Sequence, residues 1–162
     1  MVDFIVKVID YEHENVKPLP ADIAPVVGAA GRAVIAAMMA RVSARGFDGM
    51  TPAFAGLIPL LDATGARPTV LAQRSGVSKQ AMSQLVRELE SRGYVEQVSD
   101  PTDTRAKIVR LTKRGVALRA ACLEVRNELQ ALAATTLGKV RLTRLQRDLG
   151  QLTIALTKPY DP

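Results

Sequence analysis

Cysteine and histidine each occur once in the 162 residues, and tryptophan is absent. One cysteine excludes an internal disulfide framework, and one histidine beside it leaves too few soft ligands for a structural zinc site. No metal or other cofactor is therefore expected. Aromatic residues make up 4% of the chain while Ala and Leu dominate, which argues against a sandwich or barrel and for a mostly helical protein. No uninterrupted apolar stretch approaches the ~18 residues of a membrane span. Asp3 and Lys7 break the short apolar run at the start, unlike a signal peptide. The expectation is a cytoplasmic protein with no membrane contact. The one histidine, His13, stands apart from any Ser/His or Cys/His pattern, and no Gly-rich phosphate motif is present, so no enzyme is expected. With 48% apolar residues the chain can bury a sizeable core.

The net charge of +6 is unevenly placed. Residues 1–66 hold five Lys or Arg against seven acids, residues 67–114 ten against five, and residues 115–162 seven against four. The middle segment, no longer than either flank, is the most basic, as befits one module facing a polyanion while its flanks do other work. A solvated basic face is the plainer reading of charge alone.

Residues 1–20 read as an N-terminal arm, because their apolar positions fit a strand and a helix equally and Pro18 and Pro20 close them. A helix is predicted from Ile23 to Arg45, opened by Asp22 or Ala24 ahead of Pro25, and its small residues suggest close packing on several sides. Thr51-Pro52 starts a second helix predicted to run toward Thr64, with Pro59 and Gly56 kinking it. Thr69 is read as the cap of a short helix over Val70–Arg74, closed by Gly76, and Ser78 as the cap of an amphipathic helix from Lys79 to Ser91. β-type runs follow at 94–99 and 107–111, around the turn signal Asp100-Pro101-Thr102-Asp103. Thr112 caps a long helix whose seam is Leu118, Cys122, Val125, Leu129 and Leu132, and Gly138 ends it. Thr143 with Gln146 reads as a capping box for a last helix with the stripe Leu145, Leu149, Leu152 and Leu156.

Short helix, Gly turn, amphipathic helix and two-stranded ribbon, in that order, make a winged helix-turn-helix. Leu71, Ala72, Val77, Met82, Leu85, Val86 and Leu89 have the spacing to pack its two helices together. The opposite face offers Ser78, Lys79, Gln80, Ser83, Gln84 and Arg87. Gln can pair with adenine edges, Lys with guanine, and Ser with base or phosphate in a major groove. An Arg two residues past the turn, Arg105, projects from the ribbon tip, where a narrow minor groove attracts it. Lys107, Arg110, Lys113 and Arg114 are candidates for phosphate contacts.

Residues 70–115 resemble the DNA-binding core of the MarR family of transcriptional regulators. Asp103, Arg105, Val109, Leu111, Thr112 and Gly115 fall at the spacing D-x-R-x-x-x-V-x-L-T-x-x-G, and Gly76-Val77-Ser78 and Gly93-Tyr94-Val95-Glu96 match as well. The resemblance implies that Arg105 enters the minor groove and that Asp103 holds its guanidinium. It also implies a repressor released by a small, often phenolic, compound bound where the second helix meets the first and the long helix. Met38, Phe54, Leu57, Ile58 and Val116 are the apolar candidates for such a pocket.

The fold class read from the sequence is α+β, mostly α, a winged helix-turn-helix core with N- and C-terminal dimerisation helices. Its expected parts are an arm (1–20), a packing and dimerisation helix (21–50), the DNA-binding domain (51–115) and C-terminal dimerisation helices (116–162). The expected function is a sequence-specific regulator binding double-stranded DNA as a homodimer at a near-palindromic operator. A winged-helix protein-interaction module and a redox-responsive regulator switching through Cys122 are the alternatives.

Overall fold

Asp22 opens the first helix by accepting a hydrogen bond from the Ala24 amide at 3.0 Å in a computed structural model that describes residues 22–61 and 64–157. The N-terminal arm and His13 lie outside the described residues. Helix α1 spans Ile23–Ser43 and carries Pro25 in its first turn, where a missing N–H costs no helical bond. Its apolar residues ring the axis instead of forming one stripe. Val42 is buried, whereas Ile23 and Val34 are 59% and 58% exposed, so the predicted packing on several sides is not met among the described residues. By length and composition α1 is also apolar enough to cross a membrane, with a mean hydropathy of 1.7. Its apolar stretch is not continuous in the sequence, because Gly28, Gly31 and Arg32 interrupt it.

Helix α2 covers Pro52–Leu57, and the Thr51 hydroxyl caps it by accepting from the Phe54 amide at 3.3 Å. It stops well short of Thr64. Pro59 lacks the N–H that the Ala55 carbonyl would receive, and its ring crowds that carbonyl, so the chain tightens into a 3₁₀ turn over Ile58–Leu60 and leaves it extended at Leu61. The proline ends the helix where a kink was predicted. Phe54, Leu57, Ile58 and Leu61 all point into the core.

Helix α3 runs Pro68–Ser75 and ends on Gly76, whose φ of 67° is the left-handed conformation that closes a helix without a Cβ penalty. Thr69, predicted as its cap, lies inside it, because Pro68 takes the first helical position and leaves the cap to Arg67. Helix α4 spans Lys79–Ser91, capped by the Ser78 hydroxyl, which accepts from the Ala81 amide at 3.1 Å. Met82, Val86 and Leu89 are buried on one face and Leu71 and Ala72 on the facing helix, while Leu85 is half-buried. Val77 was predicted to join them but is 42% exposed, since it sits in the turn ahead of the first helical residue of α4.

Strands β1 (Val95–Asp100) and β2 (Asp103–Leu111) pair antiparallel, Val95 opposite Leu111 and Ser99 opposite Lys107, with an irregularity between Ser99 and Asp100. Strand β2 is longer than the predicted 107–111 and begins at the turn itself. Ala66 adds a short rung, exchanging two backbone hydrogen bonds of 2.9 Å with Val109. Helix α5 (Lys113–Leu137) starts at Thr112, whose hydroxyl accepts from the Gly115 amide at 3.1 Å. Helix α6 spans Lys139–Thr157 and is separated from α5 by Gly138 alone. The Thr143–Gln146 capping box is therefore absent: Thr143 lies within α6, and its hydroxyl donates to the Lys139 carbonyl at 3.0 Å.

The chain divides into two compact units, Met1–Cys122 and Leu123–Pro162. The first holds the helix-turn-helix and its ribbon. In the second, Gln146 donates to the Gln130 side chain at 3.1 Å, Leu142 is buried, and Leu145, Leu149 and Leu156 are 43%, 38% and 74% exposed.

Candidate nucleic-acid interface

The exposed face of α4 is polar for a simple reason: positions 82, 86 and 89 take the buried stripe, and the residues between them point to solvent. Lys79, Gln80, Gln84 and Arg87 are exposed and Ser83 half-buried. Ser78 and Ser83 are already engaged, Ser78 as the cap and Ser83 by donating to the Lys79 carbonyl at 2.9 Å. Among the described residues, Lys79 and Arg87 have no acidic partner, so their charge is available to a ligand. Beside the start of α4 a cleft of about 480 Å³ is lined by Thr69, Gln73, Val77, Ser78 and Lys79. It offers hydroxyl, amide and ammonium groups to a polyanion's backbone.

Arg105 is exposed at the ribbon tip, without an acidic partner among the described residues. Asp103 stands beside it, but not as the resemblance implied. One Asp103 oxygen accepts the Arg105 backbone amide at 3.1 Å, and the other lies 3.7 Å from Arg67 Nη2. The aspartate fixes the backbone under Arg105 and leaves its guanidinium free. Of the other cations, Lys107 donates to the Ser99 hydroxyl at 3.3 Å, and Arg110 pairs with Glu96 across the ribbon at 2.7 Å. Arg114 lies over the Tyr94 ring, 5.2 Å from its centroid, and Lys113 is exposed.

Two residues that support this surface, Arg67 and Glu90, escaped the sequence reading, and Asp100 does more than the turn it signalled. Asp100 is 6% exposed and accepts from the Thr102 hydroxyl at 2.6 Å, the Thr102 amide at 2.8 Å and Arg67 Nε at 2.7 Å. The Thr102 donors, and then the Arg67 guanidinium, hold its carboxyl down at about 2. Glu90, near the end of α4, accepts from both the backbone and the side-chain amide of Gln97 on β1, at 3.1 and 2.8 Å. The Asp100-to-Thr102 bonds were readable from the turn signal. The partners of Arg67 and Glu90 lie 33 and 7 residues away, and no local pattern announces them.

Of the five apolar residues singled out for a ligand pocket, Phe54, Leu57 and Ile58 are buried, Met38 is half-buried and Val116 is 47% exposed. Leu57 also lines a cleft of about 310 Å³ whose other walls include Gly56, Leu60, Arg74, Met82 and Leu85. Cys122 is buried, and burial pushes its thiol pKa up. Among the described residues no three His, Cys, Asp or Glu side chains are grouped to hold a metal ion.

Residues 48–106 match the MarR family profile, and no curated protein sequence matches the chain. Solved structures share its fold. A transcriptional repressor, CouR, bound to a 23-mer DNA duplex is 22% identical with a TM-score of 0.71, over 88% of this chain and 99% of the other. CouR from Rhodococcus jostii RHA1 bound to p-coumaroyl-CoA is 22% identical with a TM-score of 0.63, over 88% and 96%. A cysteine-to-serine mutant of MarR from E. coli complexed with operator DNA is 20% identical with a TM-score of 0.67, over 80% and 92%. The profile match covers the helix-turn-helix and the first part of the ribbon, so this segment is similar to the MarR family, and the chain has the winged helix-turn-helix fold of the solved structures.

Proposed function

We propose that this chain is a cytoplasmic, sequence-specific repressor that binds a near-palindromic double-stranded DNA operator as a homodimer and leaves it when a small aromatic effector binds. The observation that carries the reading is the pairing of a solvent-facing polar helix, α4, with an uncompensated Arg105 at the tip of the adjoining ribbon. Lys79, Gln80, Gln84 and Arg87, with Ser78 and Ser83 beside them, read the major groove, while Arg105 enters the flanking minor groove. Asp103 sets the backbone beneath Arg105 and Lys107 faces phosphate.

Dimerisation is supported by apolar surface that one copy leaves bare: Ile23, Val34 and Ile35 on α1, and Leu145, Leu149 and Leu156 on α6. Two linked copies present two recognition helices, and that geometry calls for a near-palindromic site. An aromatic effector suits the apolar set Met38, Phe54, Leu57, Ile58 and Val116, and the p-coumaroyl-CoA bound by the CouR relative is a precedent for an aromatic group. Such an effector releases DNA only by binding more tightly to the arrangement that cannot hold the operator.

The test is selection of bound genomic fragments by the purified protein, repeated with a panel of aromatic carboxylates, phenols and aromatic thioesters. Enrichment of fragments sharing an inverted repeat, lost in one arm of the panel, is the expected outcome. Fragments without a common motif would remove the operator claim, and enrichment that no compound alters would remove the effector claim.

A further inference from the structure

A cation at the mouth of a helix needs an explanation. Arg67 occupies the N-cap position of α3, where Ser, Thr, Asp or Asn would satisfy a free N–H, and its side chain makes no capping bond. Its positive charge also faces the positive end of the helix dipole. The side chain turns instead to the ribbon. Nε donates to the buried Asp100 carboxylate at 2.7 Å, and Nη2 lies 3.7 Å from Asp103. Asp103 in turn accepts the Arg105 amide at 3.1 Å. Asp100 sits where the strand register slips, and its second oxygen holds both the amide and the hydroxyl of Thr102. The Arg67 guanidinium thus bridges the two aspartates that bracket the turn, one of them directly beneath the backbone of the tip arginine.

We propose that Arg67 is a positioning residue for DNA binding: through Asp100 and Asp103 it ties the wing turn to the first residue of the helix-turn-helix and so sets where Arg105 meets the minor groove. The inference rests on the DNA-binding reading above. It assigns Arg67 no contact with DNA. A planar guanidinium with several donors can span two carboxylates, which a lysine ammonium, a point charge, does less well.

The experiment uses the full chain and a duplex that the wild-type protein selects from random sequence. Affinity is measured by fluorescence anisotropy for Arg67→Ala, Asp100→Asn, Arg105→Ala and the two doubles with Arg105→Ala, and thermal unfolding is measured for each. Arg67→Ala is expected to weaken binding about tenfold, and to weaken it no further once Arg105 is gone, because coupled residues are not additive. Asp100→Asn keeps the shape and the Thr102 amide bond and removes a negative charge. Simple electrostatics would make it bind DNA more tightly, whereas the proposed anchor makes it bind more weakly, as Arg67→Ala does. A wild-type chain that selects no duplex, or an Arg105→Ala variant that binds as wild type, would bring down the DNA-binding reading and this inference with it. If Arg105→Ala is weakened, then an Arg67→Ala loss that persists undiminished in the double, or tighter binding by Asp100→Asn, overturns the anchor and leaves the reading intact.

Discussion

The Gly115 Cα lies so close to the Tyr94 carbonyl oxygen that a β-carbon at 115 would penetrate that atom far inside van der Waals contact. Gly115 stands in the first turn of α5, and Tyr94 just before β1, so the ribbon enters and leaves the helical body through one tight corner. Thr112 stitches the same corner by donating to the Gly93 carbonyl at 2.6 Å. The clash involves backbone, which cannot rotate away. Gly115→Ala should therefore cost about 3 kcal/mol or more of folding stability, read by denaturant unfolding, and a loss below about 1 kcal/mol would mean the corner yields.

DNA binding should depend on helix and wing separately. Arg105→Ala should weaken operator binding by ~1 to 3 kcal/mol, and Gln80→Ala should relax base preference at one position in each half-site. Anisotropy with a set of singly substituted duplexes reads both. Affinity and preference unchanged in the two variants would exclude this face as the reader.

Asp100 gives the wing a predictable response to acid. Its carboxyl titrates at about 2 in the folded chain against 3.8 ordinarily, because Thr102 and then Arg67 stabilise the charged form. A folded-state value below the unfolded one means the stabilisation is complete above about pH 4 and is lost as pH falls toward 2. Wild type and Asp100→Asn should differ in stability at neutral pH and converge below about pH 2. A difference that persists there would mean the carboxylate's charge is not what holds the turn.

Assembly is tested at the end of the chain. Leu149→Asp with Leu152→Asp should abolish self-association and operator binding together, since two half-sites require two linked recognition helices. Analytical ultracentrifugation of the wild type reads the premise, and a stable wild-type monomer would refute it.

Cys122 is predicted to be structural. It is 6% exposed, and burial raises its pKa, disfavouring the thiolate that oxidants attack. Peroxide should leave the operator affinity of the wild type unchanged, as it should that of Cys122→Ser. Loss of binding in the wild type alone would make the cysteine a redox switch.

What could be read from the sequence was what adjacent residues decide. Ser78, Thr51 and Thr112 announced their helices because a capping hydroxyl acts within three residues, and Gly76 and Gly138 ended theirs because a left-handed residue is a local need. Thr143 misled for the same physical reason that Thr caps at all. Its hydroxyl serves equally well inside a helix by donating to a carbonyl one turn back, so a Thr three residues before a Gln does not by itself mark a start. The polar residues of α4 and Arg105 could be placed by period and by the turn. Arg67 and Glu90 could not, since each acts on a partner that only the folded chain brings near. Nor could the bare surface of α1, because a sequence shows how apolar a helix is and not whether its own chain covers it.

Glu90 grips Gln97 by both its backbone and its side-chain amide, clasping the C-terminal end of the recognition helix to the root of the wing. On the proposed function, the two grooves that one copy would address are thereby held in phase with each other, and the adjustable quantity passes to the distance between copies. Operators with an altered number of base pairs between half-sites should then be discriminated far more sharply than operators whose half-sites are changed at their outer edges.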